Sequence, residues 1–270
     1  MEQMIKSSTD KATGFEKRFE NTNTVIFEDS QVASKAVALE IANLIREKQA
    51  QEKACVLGLA TGSSPKGVYT ELIRLHKEEG LSFENVISFN LDEYYPMEAD
   101  SINSYVRFMK ELLFDHIDIK PENCHIPDGT LSKVDISNFC AEYEDKIEAL
   151  GGIDLQLLGI GGNGHIGFNE SGALQNSKTR LVALDHMTRV AASGDFSGLS
   201  NTPRTAITLG VKKIMEAKKV ILLAWGERKA DVIKKSVEGE VSSKIPASYL
   251  QEHDNAIFVL DKEVSSKLTR

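Results

Sequence analysis

The sequence predicts an α/β fold in which helices cover both faces of a mostly parallel β-sheet. Short apolar segments without polar interruption alternate along the chain with longer segments of helical periodicity. Strands that are buried on both faces are continuous apolar runs, and a parallel connection between two of them usually contains a helix. Ligands of such sheets bind beyond the carboxyl ends of the strands. We therefore expect the chemistry in the loops that follow the strands.

The elements follow from these two patterns in chain order. The predicted strands are residues 54–60, 86–91, 154–160, 219–224 and 256–260. The predicted helices are residues 30–48, 65–79, 104–114, 136–150, 211–217 and 229–237. Residues 1–23 are polar and aperiodic, which predicts a mobile N-terminal arm. No linker or repeat divides residues 24–270, so we expect one domain, in which residues 185–204 form either a lid or an inert surface loop.

Composition and charge exclude several classes of partner. The chain has 270 residues, of which 41% are hydrophobic, so it can bury a substantial core. Its formal net charge of −8 offers no broad positive surface to nucleic acid or to an anionic membrane. We expect neither as a partner, and a phosphate group would have to bind at a local site.

Hydropathy and cysteine usage predict a cytoplasmic protein. No apolar run approaches the roughly 20 residues that span a bilayer, and the N-terminus lacks the apolar core of a signal peptide. The three cysteines, Cys55, Cys124 and Cys140, are odd in number and lack the spacing of metal ligands. We expect reduced thiols and no metal site.

A first candidate site follows the strand at residues 54–60. Gly62 permits a tight turn, Ser64 can cap the following helix, and Pro65 suits its first position. With Ser63, these residues would leave backbone N–H groups and a positive helix end free to bind phosphate. The alternative is an ordinary capped turn. The segment matches neither common nucleotide-binding glycine motif.

A second candidate is the acidic pair Asp92 and Glu93, at the end of the strand at residues 86–91. A carboxylate that is partly desolvated at the edge of a sheet becomes a stronger base. Either residue could therefore be a general base. The alternative is that the pair only begins a turn.

The glycine-rich segment at residues 158–170 is the most specific of the candidates. It brings Asn163, His165 and Glu170 into one short loop after a core strand, where glycines let the backbone approach a ligand. His165 and Glu170 form a plausible proton-transfer pair, although a structural histidine in a turn is the alternative. Lys229, after the strand at residues 219–224, could supply positive charge to a phosphate, or be an ordinary surface lysine.

Together these motifs resemble the glucosamine-6-phosphate deaminase family, from about residue 24 to residue 268. The matching segments are residues 60–65 (ATGSSP), 89–94 (FNLDEY), 159–170 (GIGGNGHIGFNE), 188–190 (TRV) and 226–229 (GERK). The resemblance implies a Rossmann-like, doubly wound fold. It also implies an enzyme that converts glucosamine 6-phosphate to fructose 6-phosphate and ammonia without a metal or cofactor.

The resemblance also implies a role for each candidate residue. Asp92 would remove the C2 proton and His165 would open the sugar ring, with Asn163 and Glu170 orienting His165. The residues that would hold the 6-phosphate are Gly62, Ser63, Ser64 and Lys229. The chain departs from the common family pattern in having Asn163 for aspartate, Ser171 for proline and Gly194 for a lid arginine.

Other functions and assemblies remain open from the sequence. A 6-phosphogluconolactonase shares the fold and a similar histidine loop, and a sugar-phosphate-sensing domain of a transcription regulator has a related fold. Residues 89–94 (FNLDEY) and 168–170 (FNE) resemble the deaminase better than the lactonase. The complete acid–base set and the lack of a basic helix-turn-helix segment in the sequence argue against the regulator. The chain could also be one module of a longer two-enzyme protein. The expected partner is an amino-sugar phosphate, and a homo-oligomer is left open.

Overall fold

The structure, a computed structural model, describes residues 21–269. Its strands are β1 (Asn23–Phe27), β2 (Cys55–Leu59), β3 (Val86–Asn90), β4 (Asp92–Tyr95), β5 (Cys124–His125), β6 (Leu155–Leu158), β7 (Arg180–Ala183), β8 (Thr205–Thr208), β9 (Val220–Ala224) and β10 (Ala256–Asp261). Its α-helices are α1 (Ser30–Ala50), α2 (Lys66–Glu79), α3 (Tyr105–Leu112), α4 (Ile136–Ala149), α5 (His186–Ala192), α6 (Val211–Met215) and α7 (Ala230–Val237). Short 3-10 helices lie at Phe114–His116, Pro121–Asn123, Glu227–Lys229 and Pro246–Glu252.

The central sheet is parallel and doubly wound, as predicted. Its seven strands lie in the order β1-β10-β9-β6-β2-β3-β5, and every neighbouring pair is parallel. From β2 the chain adds β3 and β5 on one side, and from β6 it adds β9 and β10 on the other. The strand order therefore reverses between β2 and β6, and the loops after these two strands border a crevice.

Helices cover both faces of this sheet and bury two separate cores. α1, α2 and α3 pack on one face, and α4, α6 and α7 pack on the other. Within β2, Cys55 and Leu57 belong to the first core while Val56 belongs to the second. Because successive side chains point to opposite faces, a strand covered on both sides must be apolar throughout, and this explains the runs that predicted the strands.

The structure corrects the sequence prediction in several places. A second, three-stranded antiparallel sheet with the order β4-β8-β7 was not predicted, and neither were the strands β1 and β5 or the helix α5. Of the predicted N-terminal arm, residues 1–23, the first 20 lie outside the described residues. Asn23, at its other end, already belongs to β1. Asp92 and Glu93 begin β4 rather than a turn. These strands lack a long apolar run, so local periodicity did not predict them.

Within the described residues, no helix is both long and apolar enough to cross a membrane.

An ion cluster around a buried carboxylate joins the elements at the amino end of the sheet. Asp154 is 5% exposed, and its carboxylate accepts hydrogen bonds from Lys48 Nζ (2.6 Å), Lys218 Nζ (2.8 Å) and the backbone N–H of Val56 (2.9 Å). Burial alone would raise the pKa of Asp154, but the bonds from Lys218, Lys48 and Val56 lower it. One carboxylate thus links α1, β2 and the start of β9.

Asp154→Ala should lower the free energy of unfolding by about 3 kcal/mol, because removing one partner of a buried pair leaves the other charge uncompensated. The folded-state pKa of Asp154 is lowered, so the deficit should be full at neutral pH and shrink as acid protonates the wild-type carboxylate. Urea denaturation measures it. The control is Asp231→Ala: Asp231 bonds Lys267 at 2.7 Å but is 73% exposed, so its loss should change little. Equal losses in the two variants would contradict the role of Asp154.

Candidate active site

A cavity of about 390 Å³ lies at the crevice between β2 and β6. Loops after the strands, the start of β4 and helix α5 contribute its walls. The lining residues include Thr61, Gly62, Ser63, Ser64, Asp92, Tyr94, Tyr105, Gly161, Asn163, His165, Phe168, Met187, Thr188 and Lys229. The structure therefore brings together in the cavity wall all the predicted site residues except two: Glu170 lies directly behind His165, and Glu93 does not line the cavity.

The loop after β2 forms one end of the cavity. Gly62 has φ +91°, a left-handed conformation that disfavours other residues. The prediction that Ser64 caps the helix was wrong: α2 begins at Lys66, one residue after Pro65, and no side chain of the described residues caps it. The first backbone N–H groups of α2 are thus left for a ligand, and an anion is the ligand they favour.

Lys229 reaches the same cavity from the segment after β9. The two segments are joined by the indole of Trp225, whose Nε1–H donates to the backbone carbonyl of Ser64 at 3.0 Å. Burial lowers the pKa of Lys229, since a cation is less stable away from water. Among the described residues that line the cavity, Lys229 is the only lysine. The loop and Lys229 together can therefore compensate the charge of a phosphate dianion.

The acidic pair divides between the two faces of β4. Asp92 lies in the cavity wall, is 6% exposed and pairs across the second sheet with Thr208. Burial, reinforced by the negative charge of Glu93, raises the pKa of Asp92 to about 8. Glu93 points away from the cavity, because neighbouring side chains on a strand alternate. Of the two candidate bases, only Asp92 can meet a ligand.

His165 is held by the glycine-rich loop that follows β6. Its backbone carbonyl accepts a hydrogen bond from the N–H of Gly161 at 3.0 Å, which closes a tight turn. A Cβ at Gly161 would overlap the imidazole ring of His165, so any other residue here would displace that ring. His165 Nδ1 lies 3.2 Å from Glu170 Oε2. Because a carboxylate only accepts, this contact assigns the proton to Nδ1 and leaves Nε2 as an acceptor.

Glu170 is the centre of a polar network behind His165. Its carboxylate also accepts from Asn163 Nδ2 at 2.8 Å and from the backbone N–H of Asp185 at 3.1 Å. Burial would raise the pKa of Glu170, but the bonds from His165, Thr188 and Asn163 lower it to about 2. The carboxylate therefore stays charged and can stabilise a protonated His165.

We expected Asn163 to orient His165, and in the structure its side chain bonds the backbone of His165 and not the imidazole ring. Its Oδ1 accepts from the backbone N–H of His165 at 3.3 Å, and its Nδ2 bonds Glu170. The amide therefore shapes the loop and fixes the carboxylate, which in turn contacts the imidazole. With asparagine at this position, Glu170 is the residue that supplies the negative charge.

Helix α5 contributes a residue that motif reasoning did not place in the site. Thr188 Oγ1 lies 3.3 Å from His165 Nδ1. Thr188 is 8% exposed, and Met187 beside it also lines the cavity. Residues 185–204 thus begin with a wall of the site and are not an inert surface loop. Residues 188–190 (TRV) had matched the family motif, but that match alone did not indicate that Thr188 lies beside His165.

The sequence also did not predict that aromatic rings form one wall of the cavity. The rings of Tyr105 and Phe168 are stacked with centroids 6.2 Å apart and planes within 9°, and Tyr94 lies 5.2 Å from Phe168. Tyr94 and Phe168 belong to the matched motifs, but Tyr105 begins a helix distant in sequence. No sequence signal distinguished its ring from an ordinary core aromatic.

In the part of the chain that the structure describes, no group of three or more His, Cys, Asp or Glu side chains is arranged to hold a metal ion.

Comparison with known proteins agrees with this geometry. The family model of glucosamine-6-phosphate isomerases and 6-phosphogluconolactonase matches residues 28–259. The chain is 46% identical over 241 residues to a glucosamine-6-phosphate deaminase of Clostridium acetobutylicum, covering 89% of this chain and 96% of that one. It is 53% identical over 253 residues to a glucosamine-6-phosphate deaminase-like protein of Bacteroides thetaiotaomicron, covering 94% of this chain but only 38% of that relative's length.

Solved structures give the same result. A monomeric glucosamine-6-phosphate deaminase superposes with a TM-score of 0.86 at 40% identity, covering 91% of this chain and 99% of that one. A 6-phosphogluconolactonase of Trypanosoma brucei superposes with a TM-score of 0.73 at 22% identity, covering 93% and 100%, which is a likeness of fold. The chain therefore belongs to the family of glucosamine-6-phosphate isomerases and 6-phosphogluconolactonases.

Proposed function

We propose that this protein converts glucosamine 6-phosphate to fructose 6-phosphate and ammonia. The observation that carries the proposal is the pairing, in one cavity, of a strongly basic carboxylate, Asp92, with the His165–Glu170 pair. Two proton carriers on different elements suit a reaction that moves protons at two places on one sugar. The deaminases to which the chain is similar support the choice of substrate.

The substrate is anchored through its phosphate. The loop at Gly62, Ser63 and Ser64 offers backbone N–H groups at the start of α2, and Lys229 adds a positive charge. This end of the cavity fixes C6, so that the sugar extends towards Asp92 and His165. Anchoring a non-reacting group lowers the entropic cost of aligning the reacting carbons.

Ring opening is assigned to His165. Nε2 accepts the proton of the C1 hydroxyl, the C1–O5 bond breaks to give an aldehyde, and the proton passes to O5. The intermediate imidazolium is stabilised by Glu170, which stays ionised because its pKa lies at about 2. Asn163 and Thr188 hold this pair in place.

Deamination is assigned to Asp92. Its carboxylate removes the proton from C2 of the open-chain aldehyde, giving an enolamine, and returns a proton to C1. The resulting imine at C2 adds water and loses ammonia, which leaves the ketone of fructose 6-phosphate. A pKa of about 8 makes Asp92 a stronger base than an exposed carboxylate.

The direct experiment is an assay of ammonia release from glucosamine 6-phosphate by the purified protein. Hydrolysis of 6-phosphogluconolactone, measured beside it, tests the other activity in the family's description. Ammonia release without lactone hydrolysis is the expected result. Lactone hydrolysis alone would replace the proposal.

We further propose that the protein acts in the cytoplasm, in the breakdown of N-acetylglucosamine. Its expected substrate is a phosphorylated amino sugar, and its three cysteines are free thiols in the described structure. Fractionation of the source cells would test the location.

Asp92→Asn should abolish turnover but leave substrate binding nearly unchanged, because an amide keeps the shape of the carboxylate but cannot accept the C2 proton. Exchange of the C2 proton with solvent deuterium, followed by NMR, measures the step directly. Exchange in the variant at the wild-type rate would remove Asp92 from the role of base.

The same variant should be more stable than the wild type at alkaline pH. In the wild type, the pKa of Asp92 is about 8 when folded, against an ordinary value of about 3.9 when unfolded. The folded chain thus holds a proton that the unfolded chain has lost, so wild-type stability falls as pH rises through this window. Asparagine has no such charge to bury. Urea denaturation at about pH 5 and about pH 8.5 should show a larger advantage of Asp92→Asn at the higher pH; an advantage that does not change with pH would contradict the burial of a charged Asp92.

Lys229→Ala should raise KM roughly ten- to a hundredfold with a smaller change in kcat, since a lost charge-assisted contact costs about 1.5 to 3 kcal/mol. Unphosphorylated glucosamine should be a very poor substrate for both proteins. The control is Lys262→Ala, because Lys262 is 63% exposed and pairs with Glu28 away from the cavity. If Lys229→Ala kept the wild-type KM, the phosphate would have to bind elsewhere.

A further inference from the structure

Glu93 is a buried carboxylate without a positively charged partner. It is 1% exposed, and it accepts hydrogen bonds from the backbone N–H groups of Tyr94 (2.9 Å), Tyr105 (2.7 Å) and Val106 (3.3 Å). Among the described residues, no lysine, arginine or histidine hydrogen-bonds to it. Burying an anion that only backbone donors hold carries a desolvation cost, so the presence of Glu93 at this position calls for an explanation.

One effect of these bonds is on the cavity wall. Tyr105 is the first residue of α3, and its ring lines the cavity. The backbone of Tyr105 is fixed by Glu93 Oε2, while its ring stacks on Phe168 and lies 5.1 Å from Tyr94. Glu93 therefore ties the start of α3 to β4, the strand that carries Asp92.

The second effect is electrostatic. Asp92 and Glu93 are consecutive residues of β4, both buried, on opposite faces of the strand. The other titratable groups around Asp92 or in the same cavity are Tyr94, Tyr105, Tyr143, His165 and Lys229. Burial raises the pKa of each of the three tyrosines, so they stay neutral in the working range. The negative charge next to Asp92 is that of Glu93.

The distribution of backbone donors supports this arrangement. Burial raises the pKa of Glu93, but the N–H groups of Tyr105, Tyr94 and Val106 oppose the rise because they stabilise its ionised form. Burial and the charge of Glu93 raise the pKa of Asp92, whose carboxylate has no such set of backbone donors among the described residues. The donors therefore favour the negative charge on Glu93, and Asp92 ionises next to it.

We propose that Glu93 is a positioning residue, which holds Tyr105 in the cavity wall and keeps a negative charge behind Asp92 that strengthens Asp92 as a base. The inference rests on the proposed deaminase function, because it assumes that Asp92 removes a proton. Glu93 itself does not touch the substrate. Its two effects, support of α3 and charge, can be separated by substitution.

Two variants make the separation. Glu93→Gln keeps the length of the side chain and one acceptor but removes the charge. It should move the acid limb of the kcat/KM profile to lower pH by roughly one unit, and lower the plateau severalfold, because the base becomes weaker. Glu93→Asp keeps the charge but shortens the reach, so the limb should stay near its wild-type pH while the plateau falls.

The matched control is Glu144→Gln. Glu144 is also buried, at 8% exposure, and accepts a backbone N–H, that of Thr179 at 2.6 Å, but it does not line the cavity. Its profile should superimpose on that of the wild type. A Glu93→Gln profile that also superimposes would overturn the inference.

Titration of the protein without substrate separates this inference from the proposed function. With carboxyl-¹³C aspartate, the NMR signal of Asp92 is the one that Asp92→Asn lacks, and Glu93→Gln should move its titration to lower pH. If the wild type releases no ammonia, the proposed function fails. The titration still tests whether the charge of Glu93 raises the pKa of Asp92. If Glu93→Gln does not fold, wild-type rates in Glu93→Asp would overturn the inference, and a lowered plateau with an unmoved limb would support it.

Discussion

The reversal of strand order between β2 and β6 is the constraint on which the site depends. Strands added on opposite sides of this point carry their following loops apart, which leaves a crevice at the carboxyl edge of the sheet. The loop of Gly62 follows one of these strands and the loop of His165 follows the other. The two ends of the cavity, at Gly62 and at His165, therefore come from separate parts of the chain but follow neighbouring strands of one sheet.

The sequence predicted the parts of this structure whose cause is local. A strand covered on both faces must be apolar, and a loop at its carboxyl end can carry polar residues, so β2, β3 and β6 and the candidates after them were recognisable. The second sheet was not, because β4 (DEYY) and β7 (RLVA) are stabilised by pairing with β8 rather than by an apolar run. Such pairing joins residues distant in sequence, which local periodicity does not describe.

Within the site, the limit of sequence reasoning was the direction of side chains. Asp92 and Glu93 carry the same functional group, so the sequence does not distinguish them as bases. Only the orientation of β4 decides which of the two side chains enters the cavity. Likewise, the spacing of Asn163 and His165 indicated proximity but not that the amide bonds Glu170 and the backbone rather than the ring. Thr188 joins the same network from α5, so the wall of the cavity and the orientation of His165 are mechanically linked.

The contact between Trp225 and the backbone of Ser64 has an optical consequence. Trp225 is the single tryptophan of the chain, and its indole N–H bonds directly to the loop that borders the cavity. Indole emission depends on hydrogen bonding and on the polarity around the ring. The protein therefore contains an intrinsic fluorophore at one end of its site, whose signal needs no label and is not mixed with that of another tryptophan.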